Sequence, residues 1–299
     1  MQINLENTTS PQIARALVRA RVDSGSPAMD MVLTALVVTD DETVGESLRT
    51  AAALSREHPS RVIGIVLGDG RGHPRVDATV RVGENAAGES ILLRLSGPLT
   101  KHAESVVLPL LLPDSPVVVW WPGKPPTNPS EDPIGRLAQR RLTDAEASDS
   151  PVRTLKTTAR HYSPGDTDLS WTRLTPWRAL LAAALDQATG TVHRGSVEAG
   201  SGNPAARLLT AWLQSRLRVP ITERRSEGEQ IARVVLETDA GDVTIERIDA
   251  ETCLFSIPGA APRHVPLGPR TLAELLAEDL RRLDADDVYH ETLTHLLES

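Results

Sequence analysis

The residues with the chemistry to make a site are few, and most fail on spacing. His290-Glu-Thr-Leu-Thr-His295 resembles a zinc motif. Metalloprotease histidines stand four apart, about 40° around a helix, whereas a five-residue step turns about 140°, so these two do not share one face. Gly68-Asp-Gly-Arg-Gly72 follows a strand-like run, but His73 stands where a dinucleotide fingerprint needs its third glycine, and Pro74 follows instead of a helix. Gly200, Ser201, Gly202 and Asn203 lie between a strand-like run and a helix pattern that starts at Pro204. Free N–H groups in such a loop can hold a phosphate or carboxylate. Without the lysine of a P-loop, a tight turn with an Asn cap and Pro in the first helical turn is the stronger reading. The remaining histidines are scattered, and no G-x-S-x-G elbow is present. No catalytic residue, metal site or cofactor is therefore expected.

What stands out is Asp168-Leu-Ser-Trp-Thr-Arg-Leu-Thr-Pro-Trp-Arg178, which gathers Trp171, Trp177, Arg173, Arg178 and Asp168. Upstream, Trp120-Trp121 ends the run Val117–Trp121 and leads into a proline-rich loop carrying Asp132 and, just beyond it, Arg136. Trp and Arg dominate protein–protein hot spots. The chain has five Trp, two Tyr and one Phe, and all five Trp fall between positions 120 and 212. These nine residues are the partner-binding candidates, with an inter-domain seam as the alternative role for the indoles.

The elements that must position them follow from periodicity. Val117–Trp121, β-branched and aromatic without a polar residue, reads as a strand buried on both faces. Ahead of it, Ser10-Pro11 opens a helix, 29–39 reads as a strand, 44–52 as a helix and 61–67 as a strand, which makes a βαβ unit with parallel pairing. Two runs at 75–82 and 90–95 make an antiparallel insertion. Eight of the 22 prolines lie between 109 and 133, so 122–133 is expected to be a stiff loop. A short helix at 134–140, a last strand at 141–143 and a helix from Pro151 follow. A boundary is placed at 163, dividing an N-terminal α/β domain (1–163) from a C-terminal α+β domain (164–299). The second domain is expected to hold helices from Thr175, Pro204 and Thr271 and an antiparallel meander over 219–267. The fold class is thus α/β, a mostly parallel sheet with flanking helices and an inserted hairpin, followed by an α+β domain.

Bulk properties bound the partners. The formal charge is −8 with no basic run, which argues against nucleic acid or an anionic membrane. No stretch is apolar enough to span a bilayer and the N-terminus lacks a signal-peptide pattern, so a cytoplasmic location is expected. The single Cys253 forms no internal disulfide and sits in a strand-like run as a small hydrophobe.

Three stretches, LPLLLPDSPVVVWWPG (108–123), DPIGRLAQRRLTDA (132–145) and GDTDLSWTRLTPWRALLAAALD (165–186), resemble the OpcA family of glucose-6-phosphate dehydrogenase assembly proteins. HPSRVIGIV (58–66) and NPAARLLTAWLQSRL (203–217) are similar as well, and the likeness runs from about residue 30 to the end. The resemblance implies a non-enzymatic partner of that dehydrogenase, associated with its oligomerisation and activation at the entry to the oxidative pentose phosphate pathway. It also implies a departure: cysteine-based redox control, linked to some photosynthetic members, has no intramolecular basis in a chain with Cys253 alone. The alternative is a sugar-phosphate-binding enzyme or sensor using the Gly200–Pro204 loop.

Overall fold

A computed structural model describes residues 1–25, 31–83 and 88–298. The elements are, in chain order, β1 (Gln2–Leu5), α1 (Ser10–Ser24), β2 (Leu33–Thr39), α2 (Val44–Leu54), β3 (Ser60–Leu67), β4 (Arg75–Val82), β5 (Glu89–Ser96), α3 (Ala103–Val107), β6 (Val117–Trp121), β7 (Arg140–Thr143), α4 (Pro151–Ala159), β8 (Asp166–Asp168), α5 (Leu169–Arg173), α6 (Thr175–Gln187), β9 (Val192–Ala199), α7 (Pro204–Leu217), β10 (Ile221–Arg225), β11 (Ile231–Thr238), β12 (Gly241–Arg247), β13 (Thr252–Ser256), β14 (Arg263–Pro266), α8 (Leu272–Asp279) and α9 (Asp287–Glu298). Positions 29 and 30 of the first expected strand lie outside the described residues.

Two compact units form. One comprises Met1–Asp144, Ser163–Thr167 and Leu272–Ala285; the other comprises Ala145–Tyr162, Asp168–Thr271 and Asp286–Ser299. The compact units are discontinuous in sequence, and the chain passes between them repeatedly. The α4 segment belongs with the second unit, while α8 returns to the first. There α8 packs on α2, and the His58 ring Nε2 lies 3.2 Å from the Ala277 carbonyl. This corrects the expectation that the Thr271 helix packs within the second domain.

The first unit carries an eight-stranded sheet in the order β1-β4-β5-β3-β2-β6-β7-β8. Pairings β5–β3, β3–β2, β2–β6 and β6–β7 are parallel, whereas β4 runs antiparallel to β5 and to β1. Strand β6 is thus central, as its unbroken apolar run requires. Alternation sends Val117, Val119 and Trp121 into the core built with α1, where Ile13, Leu17 and Ala20 meet Ile63, Ile65, Ile91 and Leu93. Trp120 turns to the opposite face. The helix expected at 134–140 shrinks to a single 3-10 turn, Gly135–Leu137, because Arg140 already pairs in β7.

The second unit carries a six-stranded sheet, β10-β9-β11-β12-β13-β14. Val197, Val234, Leu236, Ile245 and Phe255 pack against Trp177 and Leu181 of α6, Leu208 and Leu209 of α7, and Leu293 and Leu296 of α9. The meander holds from β11 to β14, but β10 pairs parallel to β9. The stretch β9-α7-β10 is therefore a βαβ crossover, not part of the meander, because a helix between two strands returns the chain in the same direction.

Candidate functional site

In the second unit, Asp168 caps α5. Its Oδ1 accepts from Ser170 N and its Oδ2 from Ala145 N, both at 2.9 Å. The cap fixes the turn that directs Trp171 inward, where Trp171 Nε1 donates to Asp286 Oδ2 at 2.8 Å. Asp286 Oδ1 in turn accepts from Tyr289 N at 3.0 Å at the start of α9. One face of the Trp171 ring carries the Arg178 guanidinium, 3.6 Å from the ring centroid, and the Tyr289 ring lies 5.5 Å away. Tyr162 closes the cluster, edge-on to Tyr289 and stacked on His290 at 4.6 Å. A guanidinium over an indole is attracted by the ring's negative face, by roughly 0.5–2 kcal/mol depending on desolvation. Arg173, at the end of α5, pairs with Glu146 at 2.8 Å. Trp177 faces the sheet, with Arg247 5.8 Å from its ring centroid.

In the first unit, Trp121 is core and Trp120 Nε1 is buried without a hydrogen-bond partner among the described residues. Asp132 Oδ1 accepts from Ile134 N at 2.9 Å and Gly135 N at 3.1 Å, which folds the proline-rich segment into a tight turn. Gly135 is required there, since a Cβ would lie 1.8 Å from the Pro129 carbonyl oxygen. Arg136 is exposed and pairs with Glu131 at 2.7 Å.

Relative exposures of Trp120, Trp121, Trp171 and Trp177 are 4, 3, 2 and 4%, so none of the four indoles offers its ring to a partner in this chain. Expecting them as contact residues placed the largest anchors on a surface; burial of a large aromatic in its own core removes more apolar area from water. Of the set only Arg136 is exposed; Asp132, Arg173 and Arg178 are half-buried.

Two further sequence features resolve locally. Asn203 Oδ1 accepts from Ala206 N at 2.7 Å and its Nδ2 donates to the Glu229 carbonyl at 2.7 Å, so the Gly200–Asn203 loop is a capped tight turn. A cleft of about 160 Å³ beside it is lined by Ser201, Arg207, Arg224 and Arg225. Cys253 is fully buried, and burial pushes its thiol above the ordinary range. Among the described residues, no group of three or more His, Cys, Asp or Glu is placed to hold a metal ion. None of their helices is long and apolar enough to cross a membrane.

Sequence reasoning missed two kinds of residue. Asp286, Tyr162 and Tyr289 complete the Trp171 cluster, and the scarcity of tyrosine (only two in the chain) was the available signal. The second kind is the consecutive pair Arg140 and Arg141 in β7. Arg140 is buried and holds Asp279 at 2.8 Å and the Asp284 carbonyl at 3.2 Å. Arg141 pairs with Asp166 and donates to the Pro164 and Ala138 carbonyls. Gly165, at φ +95°, lets this loop close, because a Cβ there would meet the Gln139 carbonyl oxygen at 2.2 Å.

Fold and cluster together define a two-unit α/β protein, a parallel-sheet unit followed by an open antiparallel one, whose densest polar motifs serve as ion pairs and caps. Residues 51–160 match the family model for the glucose-6-phosphate dehydrogenase subunit N-terminal domain, and residues 164–293 match that for its C-terminal domain. The chain belongs to this family, the OpcA proteins. It is 31% identical over 144 residues to a putative OxPP cycle protein OpcA of Synechocystis, covering 43% of this chain and 29% of that one. A putative OxPP cycle protein OpcA of Nostoc punctiforme is 25% identical over 201 residues, covering 61% and 43%. The matched stretches therefore span under half the length of either relative. Among solved structures, the KijD10 3-ketoreductase of Actinomadura kijaniata, in complex with NADP and TDP-benzene, superposes with a TM-score of 0.50 at 10% identity, covering 88% of this chain and 95% of that one. At that identity the likeness concerns the fold alone.

Proposed function

We propose that this protein is a non-catalytic assembly factor that binds glucose-6-phosphate dehydrogenase and favours its active oligomer. The observation that carries this reading is the serial match of both halves of the chain to the two domains of a glucose-6-phosphate dehydrogenase subunit family. The physical requirement is simple. A binding protein shifts an assembly equilibrium only by its greater affinity for the active form.

Of the five polar members of the sequence-derived set, Asp168 is buried in its cap, and Asp132, Arg136, Arg173 and Arg178 are the docking groups in this reading. Their supports are rigid, because Asp132 is locked in a turn and Arg178 lies against a buried indole. A preorganised guanidinium loses less side-chain entropy on binding than a free one. Partners of opposite charge are the matching surface.

The test is an activity titration. Purified protein alone is expected to reduce no NADP with glucose 6-phosphate, while its addition to the dehydrogenase raises specific activity to a plateau. Turnover by the rigorously purified chain, or dehydrogenase activity unaffected at saturating chain, contradicts the proposal.

A further inference from the structure

The helices of the second unit cover one face of its six-stranded sheet; the other face carries an ordered charge pattern. Register aligns Arg224, Glu198, Arg233 and Glu246 across β10, β9, β11 and β12 in one row. A second row, two residues along, holds Thr222, Ser196, Val235 and Thr244, and a third holds Arg194 beside Glu237. The signs alternate along the first row. Its ion pairs are long, 3.8 Å for Arg224–Glu198 and 3.7 Å for Arg233–Glu246, so each guanidinium keeps donors for a second carboxylate. Arg194 and Glu237 pair at 2.7 Å. Side chains of Arg194 and Arg224 are more than half exposed, so among the described residues no element overlies them on this face.

A two-fold axis lying in the face, parallel to the strands and between β9 and β11, exchanges β9 with β11 and β10 with β12. It sets Glu198 opposite Arg233 of a second copy, Arg224 opposite Glu246, and Arg194 opposite Glu237. All three relations join opposite charges. The middle row brings only small side chains to the contact, which allows two sheets to approach at the roughly 10 Å of aligned face-to-face packing. An axis across the strands also joins opposite charges, Glu198 with Arg194 and Arg233 with Glu237, but sets Glu246 opposite Asp242, a like-charged pair that disfavours it.

We propose that this face pairs with a second copy of the same chain about the strand-parallel axis. Four overlapping strands at roughly 4.8 Å spacing give a contact on the order of 500 Å² per copy, below the roughly 800 Å² of a standard interface. The dimer is therefore weak and forms with rising concentration. The inference needs no dehydrogenase and stands apart from the assembly reading.

Charge complementation tests it. Glu198→Arg places two arginines across the axis, and Arg233→Glu places two glutamates there, so each variant alone is self-repelling. Mixed, the two variants restore Arg opposite Glu at both central positions. Sedimentation of the protein alone, from low micromolar to several hundred micromolar, is expected to show wild type passing from one chain to two. Each variant stays at one chain with an unchanged melt, at least about tenfold weaker in dimerisation, and the equimolar mixture regains the dimer. If a reversal unfolds the chain, Thr244→Arg in the small-residue row serves in its place and is expected to abolish the dimer. Wild type that remains a single chain throughout, a mixture that fails to dimerise, or a folded Thr244→Arg that dimerises normally overturns the proposal. Loss of dehydrogenase binding in Glu198→Arg, with wild type remaining a single chain, assigns the face to the dehydrogenase and overturns self-pairing.

Discussion

Trp171 Nε1 donates to Asp286 Oδ2 at 2.8 Å, joining two residues 115 positions apart. The same carboxylate caps the first turn of α9 through Tyr289 N. A single aspartate thus fixes both an indole and a helix start, and the Arg178 guanidinium rests on that indole.

Truncating this cluster costs stability. Trp171→Ala removes a buried ring and is expected to lower unfolding free energy by about 3–5 kcal/mol. Asp286→Ala leaves the indole N–H unsatisfied and uncaps α9, for a loss of about 1–3 kcal/mol. Urea unfolding with unchanged slope checks both. A Trp171→Ala protein as stable as wild type would place this ring outside the core.

Buried Arg140 and Asp279 predict an asymmetry. Both side chains are 4% exposed, so Asp279→Ala strands an arginine in low dielectric and is expected to cost about 3–5 kcal/mol. Arg140→Met combined with Asp279→Leu removes both charges and should recover most of that loss. A double variant no better than the single one shows that the hydrogen bond to the Asp284 carbonyl, not the charge pair, holds the site.

Asp40, ahead of α2, accepts from Thr43 Oγ1 at 2.7 Å, Thr43 N at 2.8 Å and Glu42 N at 3.0 Å. These bonds, the Thr43 hydroxyl first, hold its carboxyl below the ordinary 3.8. A carboxyl depressed on folding adds stability above its unfolded pKa and loses it as pH falls through the folded value. An NMR titration should therefore give an Asp40 midpoint below 3.8, and Thr43→Val should raise it. A wild-type midpoint at or above the ordinary value contradicts the cap.

The Cys253 thiol is predicted to be silent in the native state, because it is buried and its pKa is raised by burial. A thiol-reactive dye should label it only as the chain unfolds. Labelling of native protein at the rate of a free thiol would contradict the placement.

Much of the fold is legible because apolar periodicity encodes it. The β6 run, the helices from Pro151, Thr175 and Pro204, and the meander from β11 onward follow directly from burial pattern. Two edge strands do not. Gln2–Leu5 buries no residue fully, and Asp166–Asp168 is polar, held by Arg141 and by neighbours distant in sequence. The direction of β10 was also hidden, since its five residues carry one buried side chain. Scarcity singled out the tryptophans, yet composition cannot say whether a rare ring faces a partner or its own core. That choice depends on contacts such as Asp286, which local sequence does not contain.

The central claim is association with the dehydrogenase, and a mass measurement tests it most directly. Glucose-6-phosphate dehydrogenase is measured alone and with added protein by sedimentation equilibrium, with activity read on the same samples. The account predicts a complex containing both chains and a shift of the dehydrogenase toward its active oligomer. Two species sedimenting independently at every ratio, with an unchanged dehydrogenase mass, would contradict it.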